Sequence, residues 1–351
     1  MNILVTGGLG YIGSHTIVEL QTAGHDVTCI DNCSNSSLLT YDNIVKITGK
    51  DFRYYNLDLH LEPSTSNIWP DFSAYDAVIH FAAMKSVGES MIRPGVYYKN
   101  NLNSTLQILE HMKRGNTKNL VFSSSCTVYG EPESCPVTEV FPIKPPSSVY
   151  GHTKQICEDI INNFHLEHDY NNLNLRYFNP VGSHASGEIG ELPNGVPDNL
   201  MPYVTQTAVG KRDKLTIFGN TYDTPDGTCI RDYIHVVDLA QAHVKAVELL
   251  HEKNSTGFKD HVNLGTGNGY SVNEIVDTFE RENDIKVTRE YGPPRSGDIT
   301  EVYADPSYAL QLLGWEAKLG LKEMVTSAWK WEKTRSGDLP DIPINGCGDN
   351  Q

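Results

Sequence analysis

The chain has 351 residues, 39% hydrophobic and 21% charged, and exceeds the roughly 250–300 residues at which single cores stop growing, which argues against one compact domain. Its 28 basic against 44 acidic residues leave a net charge of −16; with no basic stripe to override the repulsion of polyphosphate, no nucleic-acid partner is expected. No apolar run approaches the ~20 residues of a membrane span and no signal peptide precedes the first strand, so a cytoplasmic protein without a membrane partner is expected.

Short apolar runs alternate with helical stretches from the N-terminus onward. Ile3-Leu4-Val5 predicts a buried strand, Ile12 to Ala23 a helix stopped by Gly24, and Val27 to Ile30 the second strand. Further strands are expected at Phe52–Tyr55, Ala77–His80, Leu120–Phe122 and Leu173–Tyr177, with helices near 95–114 and 150–168. This alternation predicts an α/β fold with a doubly wound parallel (Rossmann) sheet, whose ligands bind at the carboxyl ends of the strands. The acidic stretch Leu61 to Tyr75 reads as a variable surface loop.

After Phe178 the rhythm changes. A Gly- and Pro-rich stretch from Asn179 to Leu200 predicts a loop crossing into a smaller mixed α/β lobe. There, helices are expected near 200–209, 237–251, 271–282, 306–313 and 320–332, and strands at Leu215–Phe218, Val262–Leu264 and Val287–Glu290. The tail from Arg335 lacks periodicity and is expected to fray. Seven cysteines without a C-x-x-C pair argue against a disulfide framework or a zinc ribbon, and no metal is expected.

Between the first strand and the first helix lies Gly7-Gly8-Leu9-Gly10-Tyr11-Ile12-Gly13, whose glycines at 7, 10 and 13 form G-x-x-G-x-x-G. Glycine there lets the turn close, the backbone approach a pyrophosphate, and the helix pack on the sheet. The helix N-terminus then faces the phosphates with unpaired N–H groups. Asp31 ends the second strand, where a carboxylate accepts the adenosine ribose hydroxyls and repels a 2′-phosphate, so the expected cofactor is NAD. Asp58 closes the third strand region near the adenine edge. His80-Phe81-Ala82-Ala83 places small residues where the backbone passes close to the cofactor.

Tyr150 and Lys154 form Y-x-x-x-K at the start of a predicted helix, so both side chains share one face. A phenol of ordinary pKa about 10 must fall roughly three units to act as a base near neutrality, about 4 kcal/mol. An ammonium about 5 Å away at an effective dielectric of about 20 supplies roughly 3 kcal/mol, and a positive nicotinamide ring can supply the remainder. Ser123-Ser124-Ser125 follows the fifth strand, and the Ser125 hydroxyl is placed to share the proton with Tyr150. Arg231 and Arg295 are candidate clamps for a diphosphate; Asp298 could accept nucleoside ribose hydroxyls and Phe218 could cover a base.

With LVTGGLGYIGSHT, VIHFAAMKSVGES, YGHTK, LRYFNPVGSHASG, NLMPYV, DGTCIRDYIHV and PPRSGD, nearly the whole chain through about residue 333 resembles the extended short-chain dehydrogenase/reductase family, and within it the enzymes that invert C4 of UDP-hexoses. The resemblance implies reversible interconversion of UDP-glucose and UDP-galactose through a transient 4-keto sugar, with NAD tightly bound. Tyr150 would take the 4-hydroxyl proton, with Ser125 assisting, both touching the sugar, and Lys154 would tune the phenol and, with Tyr150, contact the cofactor by holding the nicotinamide ribose. It also implies cofactor contacts at Tyr11, Ile12, Asn32, Asn35, Leu59, Lys85, Asn100, Ser123 and Tyr177. The UDP-hexose would be lined by Phe178, Asn179, Asn199, Leu200, Thr216, Phe218, Arg231, Arg295, Asp298 and Val302.

Residues 1–178 are then expected to form the NAD-binding domain and 179–334 the substrate domain, with interleaving of the two left open, followed by the tail 335–351. A homodimer through the helices near 95–114 and 150–168 is implied as well. Val302 stands where some relatives carry a tyrosine, which leaves room for UDP-GlcNAc and UDP-GalNAc. A nucleotide-sugar 4,6-dehydratase is the competing enzyme, but Ser125-Cys126-Thr127-Val128 lacks the carboxylate that expelling a 6-hydroxyl requires. A dinucleotide-sensing regulator would have no need of Tyr150, Lys154 and Ser125.

Overall fold

The computed structural model describes residues 1–61, 68–167, 169–254, 257–295 and 298–338. The first half runs β1 (Asn2–Thr6), α1 (Tyr11–Thr22), β2 (Asp26–Asp31), α2 (Leu38–Thr48), β3 (Arg53–Asn56), β4 (Ala77–His80), α3 (Val87–Ile92), α4 (Pro94–Gly115), β5 (Asn119–Ser125), α5 (Val149–Glu167) and β6 (Asn171–Tyr177). The second half runs β7 (Asn179–Val181), α6 (Leu200–Ala208), β8 (Leu215–Phe218), β9 (Ile230–His235), α7 (Val236–Glu252), β10 (Lys259–Leu264), β11 (Gly269–Ser271), α8 (Val272–Asn283), β12 (Arg289–Gly292), β13 (Glu301–Val302), α9 (Ser307–Leu313) and α10 (Leu321–Asp338).

Seven strands in the order β3-β2-β1-β4-β5-β6-β10 form one sheet, every pairing parallel. Its strands are apolar on both faces because helices cover both. Ile3, Val5, Ile79 and Val121 pack toward α1 and α7, whereas Leu4, Val78, Leu120 and Phe122 pack toward α4 and α5. The alternation is the period of two that a strand imposes, and each such fully buried side chain stabilises the sheet by about 1.5–3 kcal/mol. Strand order reverses at β1, between β2 and β4, and the crevice at those carboxyl ends is where a doubly wound sheet receives a ligand.

A strand expected to belong to the second lobe, β10, is the seventh strand of the large sheet, paired with β6 from Lys259↔Asn172 to Leu264↔Tyr177. What remains of that lobe is built around β9, which pairs with β7, β11 and β13, plus the parallel pair β8 and β12. Several elements have no counterpart in the sequence reading. Helix α2 is delimited by Ser37, whose Oγ accepts from Leu39 N at 3.2 Å, and by left-handed Gly49; α3 is a short helix capped by Ser86, and β7, β11 and β13 are strands of two or three residues, each paired with the six-residue β9. Helix α10 continues past Arg335 to Asp338, and the rest of the expected tail lies outside the described residues, as do residues 62–67 of the expected surface loop. Among the described residues no helix is long and apolar enough to cross a membrane.

Candidate active site

The glycine loop closes over the carboxyl end of β1 in a space that admits no side chain. Gly7 adopts φ +67°, and a Cβ there would sit 2.8 Å from the Ala82 backbone nitrogen; a Cβ on Gly13 would strike the Gly7 carbonyl oxygen. These contacts bring the Phe81-Ala82-Ala83 backbone against the loop. Gly10 is the N-cap of α1 and no side chain caps the helix, so the first-turn N–H groups of Tyr11, Ile12 and Gly13 point outward. An uncapped N-terminus with its partial positive charge fits a diphosphate.

Asp31 follows at the end of β2, nearly buried. Its carboxylate accepts from Leu9 N (3.0 Å), Cys33 N (2.9 Å) and Ser36 Oγ (2.9 Å). Burial raises its pKa, and those hydrogen bonds oppose the rise. Three donors leave lone pairs on the two oxygens for further hydroxyls. Asn32 accepts from Ser34 N within the same loop, where Asn35 is exposed. Asp58 is paired with His60, and Leu59 is buried under the sheet. The groups present therefore fit NAD: a cradle without side chains, an open helix end and an acid at the ribose position.

Ser148 precedes α5, its Oγ accepting from Gly151 N at 3.1 Å, while Ser90 Oγ accepts from Tyr150 N at 3.1 Å. Tyr150 thus stands on the first turn of α5, and Lys154, one turn on, reaches the end of β5. The Lys154 Nζ donates to the Ser123 carbonyl at 2.6 Å and lies 4.9 Å from the Phe122 ring centroid and 5.8 Å from that of Tyr150. Burial pushes its pKa down to about 8, against the pull of Cys157 and Glu158, so it remains an ammonium at neutral pH. Burial also holds the Tyr150 phenol above its ordinary value; Cys126 adds to the rise, and a hydrogen bond with the Ser125 hydroxyl opposes it. Burial outweighs the opposing influences on the phenol, while the Lys154 ammonium is held by the Ser123 carbonyl, 5.8 Å from the Tyr150 ring centroid.

Tyr177 ends β6 with its hydroxyl 2.6 Å from His243 Nε2. Lys85 is bound to Glu191 Oε1 at 2.9 Å. Asn100 donates to Asn101 Oδ1, and Asn101 in turn holds Met84 by both its N–H and its carbonyl.

On the opposite wall, Arg295 makes two bonds to Asp298 (2.9 and 3.1 Å) and lies 5.3 Å from the Phe218 ring centroid. Arg231 approaches the same carboxylate at 4.0 Å. The structure thereby gathers four of the residues expected to line a nucleotide. Thr216 donates to Glu290; Asn199 heads α6, with Leu200 following it in the first turn; Asn179 opens β7 opposite Tyr233. Val302 is buried with Phe178, and Cys126 packs against that cluster. The Cys126 thiol is held at about 12 by burial, with Arg231 lowering it, and it acts on Tyr150 in turn.

Sequence reasoning missed Ser90, Asn101, Glu158, Arg176, Glu191 and His243. Glu158 alone carried a local signal, one turn beyond Lys154 on the same helix face.

A family model described as GDP-mannose 4,6 dehydratase matches residues 4–328. The UDP-glucose 4-epimerase of Bacillus subtilis is 50% identical over 335 residues, covering 95% of this chain and 97% of that one. Among solved structures, a UDP-glucose-4-epimerase from Stenotrophomonas maltophila with bound NAD and formylated UDP-arabinopyranose superposes with a TM-score of 0.91 at 42% identity, covering 97% of this chain and all of that one. One from Bifidobacterium longum in complex with NAD+ and UDP gives 0.89 at 41% identity, with 97% of this chain and all of that one covered. These full-length relatives at 41–50% identity are named as epimerases. The chain belongs to the UDP-glucose 4-epimerase family of extended short-chain dehydrogenases/reductases.

Proposed function

We propose that the chain interconverts UDP-glucose and UDP-galactose by inverting C4, with Tyr150 as the acid/base, Ser125 sharing its proton and Lys154 fixing the end of β5. What supports this reading is Tyr150 and Lys154 on one face of α5 with the ammonium at the Ser123 end of β5, together with the glycine cradle free of side chains and the Arg231–Arg295–Asp298–Phe218 group. NAD, when bound, would supply the acceptor for the C4 hydride, and a positive ring near Tyr150 would favour its phenolate. The protein's own part is to hold the proton at the Tyr150 oxygen and to grip the diphosphate while the 4-keto sugar turns. Because redox is balanced within each turnover, the cofactor would be regenerated in place and need not be exchanged.

The chain is further proposed to act as a homodimer in the cytoplasm. Val87, Met91 and Ile92 on α3 and Val96 and Leu106 on α4 are exposed apolar side chains beside α5, a face suited to a second copy, and Cys29, Cys126, Cys135, Cys157 and Cys229 are free thiols, which fits a reducing compartment. One experiment tests the whole reading: size-exclusion chromatography of the purified protein, denaturation to release its nucleotide, and assay of native protein with UDP-galactose and no added NAD. A two-chain mass, released NAD and conversion to UDP-glucose are expected; a protein that carries NAD but accumulates a 4-keto-6-deoxy sugar would instead be a dehydratase.

Acceptance of UDP-GlcNAc and UDP-GalNAc is proposed on Val302, whose small side chain sits beneath Phe178. Val302→Tyr adds a ring where a C2 substituent must pass. Its kcat/KM for UDP-GalNAc is expected to fall tenfold or more, about 1.4 kcal/mol, with that for UDP-galactose nearly unchanged. Equal loss on both sugars would place Val302 outside the C2 pocket.

A further inference from the structure

Glu191 lies in the loop between β7 and α6, and a single carboxylate oxygen, Oε1, accepts from Lys85 Nζ at 2.9 Å and from Asn199 Nδ2 at 2.6 Å. The carboxylate is 9% exposed, while Lys85 is 48% exposed; the acid is the fixed partner and the lysine the one that is held. Its backbone is fixed too: the Glu191 carbonyl accepts from Trp331 Nε1 at 2.9 Å, and a Cβ on Gly190 would overlap the Trp331 ring. The two donors come from opposite sides of the cleft. Lys85 is on the loop after β4, beside the glycine cradle, and Asn199 is at the head of α6.

Two details show that this arrangement is not generic packing. An asparagine at an N-cap ordinarily accepts from the helix's own N–H groups, yet Asn199 makes no such bond and gives its amide to Glu191 instead, forgoing that cap. Glu191 also places a negative charge near the Tyr11 hydroxyl, which donates to the Gly182 carbonyl at 2.7 Å, and adds to the rise that burial gives the Tyr11 pKa; Lys85 is the cation held against that charge.

We infer that Glu191 is a positioning residue that couples the two halves of the site: by orienting Lys85 toward the cofactor and Asn199 toward the nucleotide sugar from one oxygen, it links UDP occupancy to NAD retention. This rests on the assignment of those two sides under Proposed function. Linkage requires the effect to run both ways, with bound NAD strengthening UDP binding by the factor by which UDP strengthens NAD binding.

The test uses holoenzyme. The rate of NAD loss in mild urea is measured with and without saturating UDP for the native protein, Glu191→Gln and Glu191→Ala, together with Tm, kcat and KM for UDP-galactose. In the native protein UDP is expected to slow NAD loss several-fold. Glu191→Gln keeps an acceptor for Asn199 but not the charge for Lys85, so part of that slowing should survive; Glu191→Ala should bring the ratio close to one and raise KM more than it lowers kcat. A native protein without any UDP effect overturns the inference, and so do variants with lowered Tm but an unchanged ratio. Native protein that turns over UDP-galactose on its own NAD keeps the functional reading standing whichever way the variants fall. Native protein with neither NAD nor turnover defeats that reading first.

Discussion

Tyr150→Phe is expected to leave NAD bound and the fold intact while lowering kcat by about 10²–10⁴-fold, the usual contribution of a positioned acid/base. The substitution removes one oxygen from a residue whose backbone N–H is held by Ser90 and whose ring stays in place, so binding should change little and KM should stay within a few-fold. The pH profile carries the sharper information. Burial raises the phenol's pKa and Ser125 opposes the rise; the proton acceptor is the deprotonated form, so native turnover should grow as pH rises toward the pKa set in the loaded complex. Residual activity in the phenylalanine variant should lack that limb. Measuring kcat and kcat/KM from pH 6 to 9 for both proteins checks it, and a variant with native kcat would remove Tyr150 from the chemistry.

Arg176→Met is expected to destabilise the protein by about 3–5 kcal/mol, the cost of stranding one partner of a buried ion pair. The Arg176 guanidinium meets Glu158 through Nε (3.0 Å) and Nη2 (2.6 Å) and donates through Nη1 to Tyr129 (2.9 Å). All three side chains are buried. Burial works against the arginine's charge, but the hydrogen bonds and charge of Glu158 hold its pKa above the ordinary value. Glu158 also accepts from Ser124, and Tyr129 donates to Asn263 on β10 at 2.7 Å, so the pair joins α5 to β5, β6 and β10. Adding Glu158→Leu should recover much of the loss, since an apolar replacement of both charges avoids the stranded anion, though Ser124 and Tyr129 keep unmet bonds. Urea unfolding of the three proteins gives the comparison; a single variant as stable as the native protein would mean that water reaches Glu158.

The parts that could be read from sequence were those set by neighbours along the chain. Gly7 and Gly13 are required by contacts within a few residues or with the adjoining strand, Tyr150 and Lys154 share a helix face by spacing alone, and the buried strands announced themselves as runs such as Ile3-Leu4-Val5. The Arg231–Arg295–Asp298–Phe218 group was reached through chemistry of residue type, and the fold does bring it together. Strands of two or three residues, such as β11 and β13, carry no period to detect and exist because β9 offers them a partner. Glu191 with Lys85 and Glu158 with Arg176 are pairings through space across loops or strands; Glu158 shares a helix face with Lys154, but nothing local distinguishes Glu191 from the other acids in so acidic a chain. The direction of Lys154 is a finding of the same kind: its spacing from Tyr150 was visible, the carbonyl that captures its ammonium was not.

The parallel pairing of β10 with β6 also bears on how the chain emerges from the ribosome. Residues through Tyr177 are delivered long before Lys259, and until then β6 is the outer margin of an incomplete six-stranded sheet, its backbone donors and acceptors open to any extended segment nearby. A nascent chain stalled in that interval carries a template for joining its neighbours, and only the arrival of β10 withdraws it.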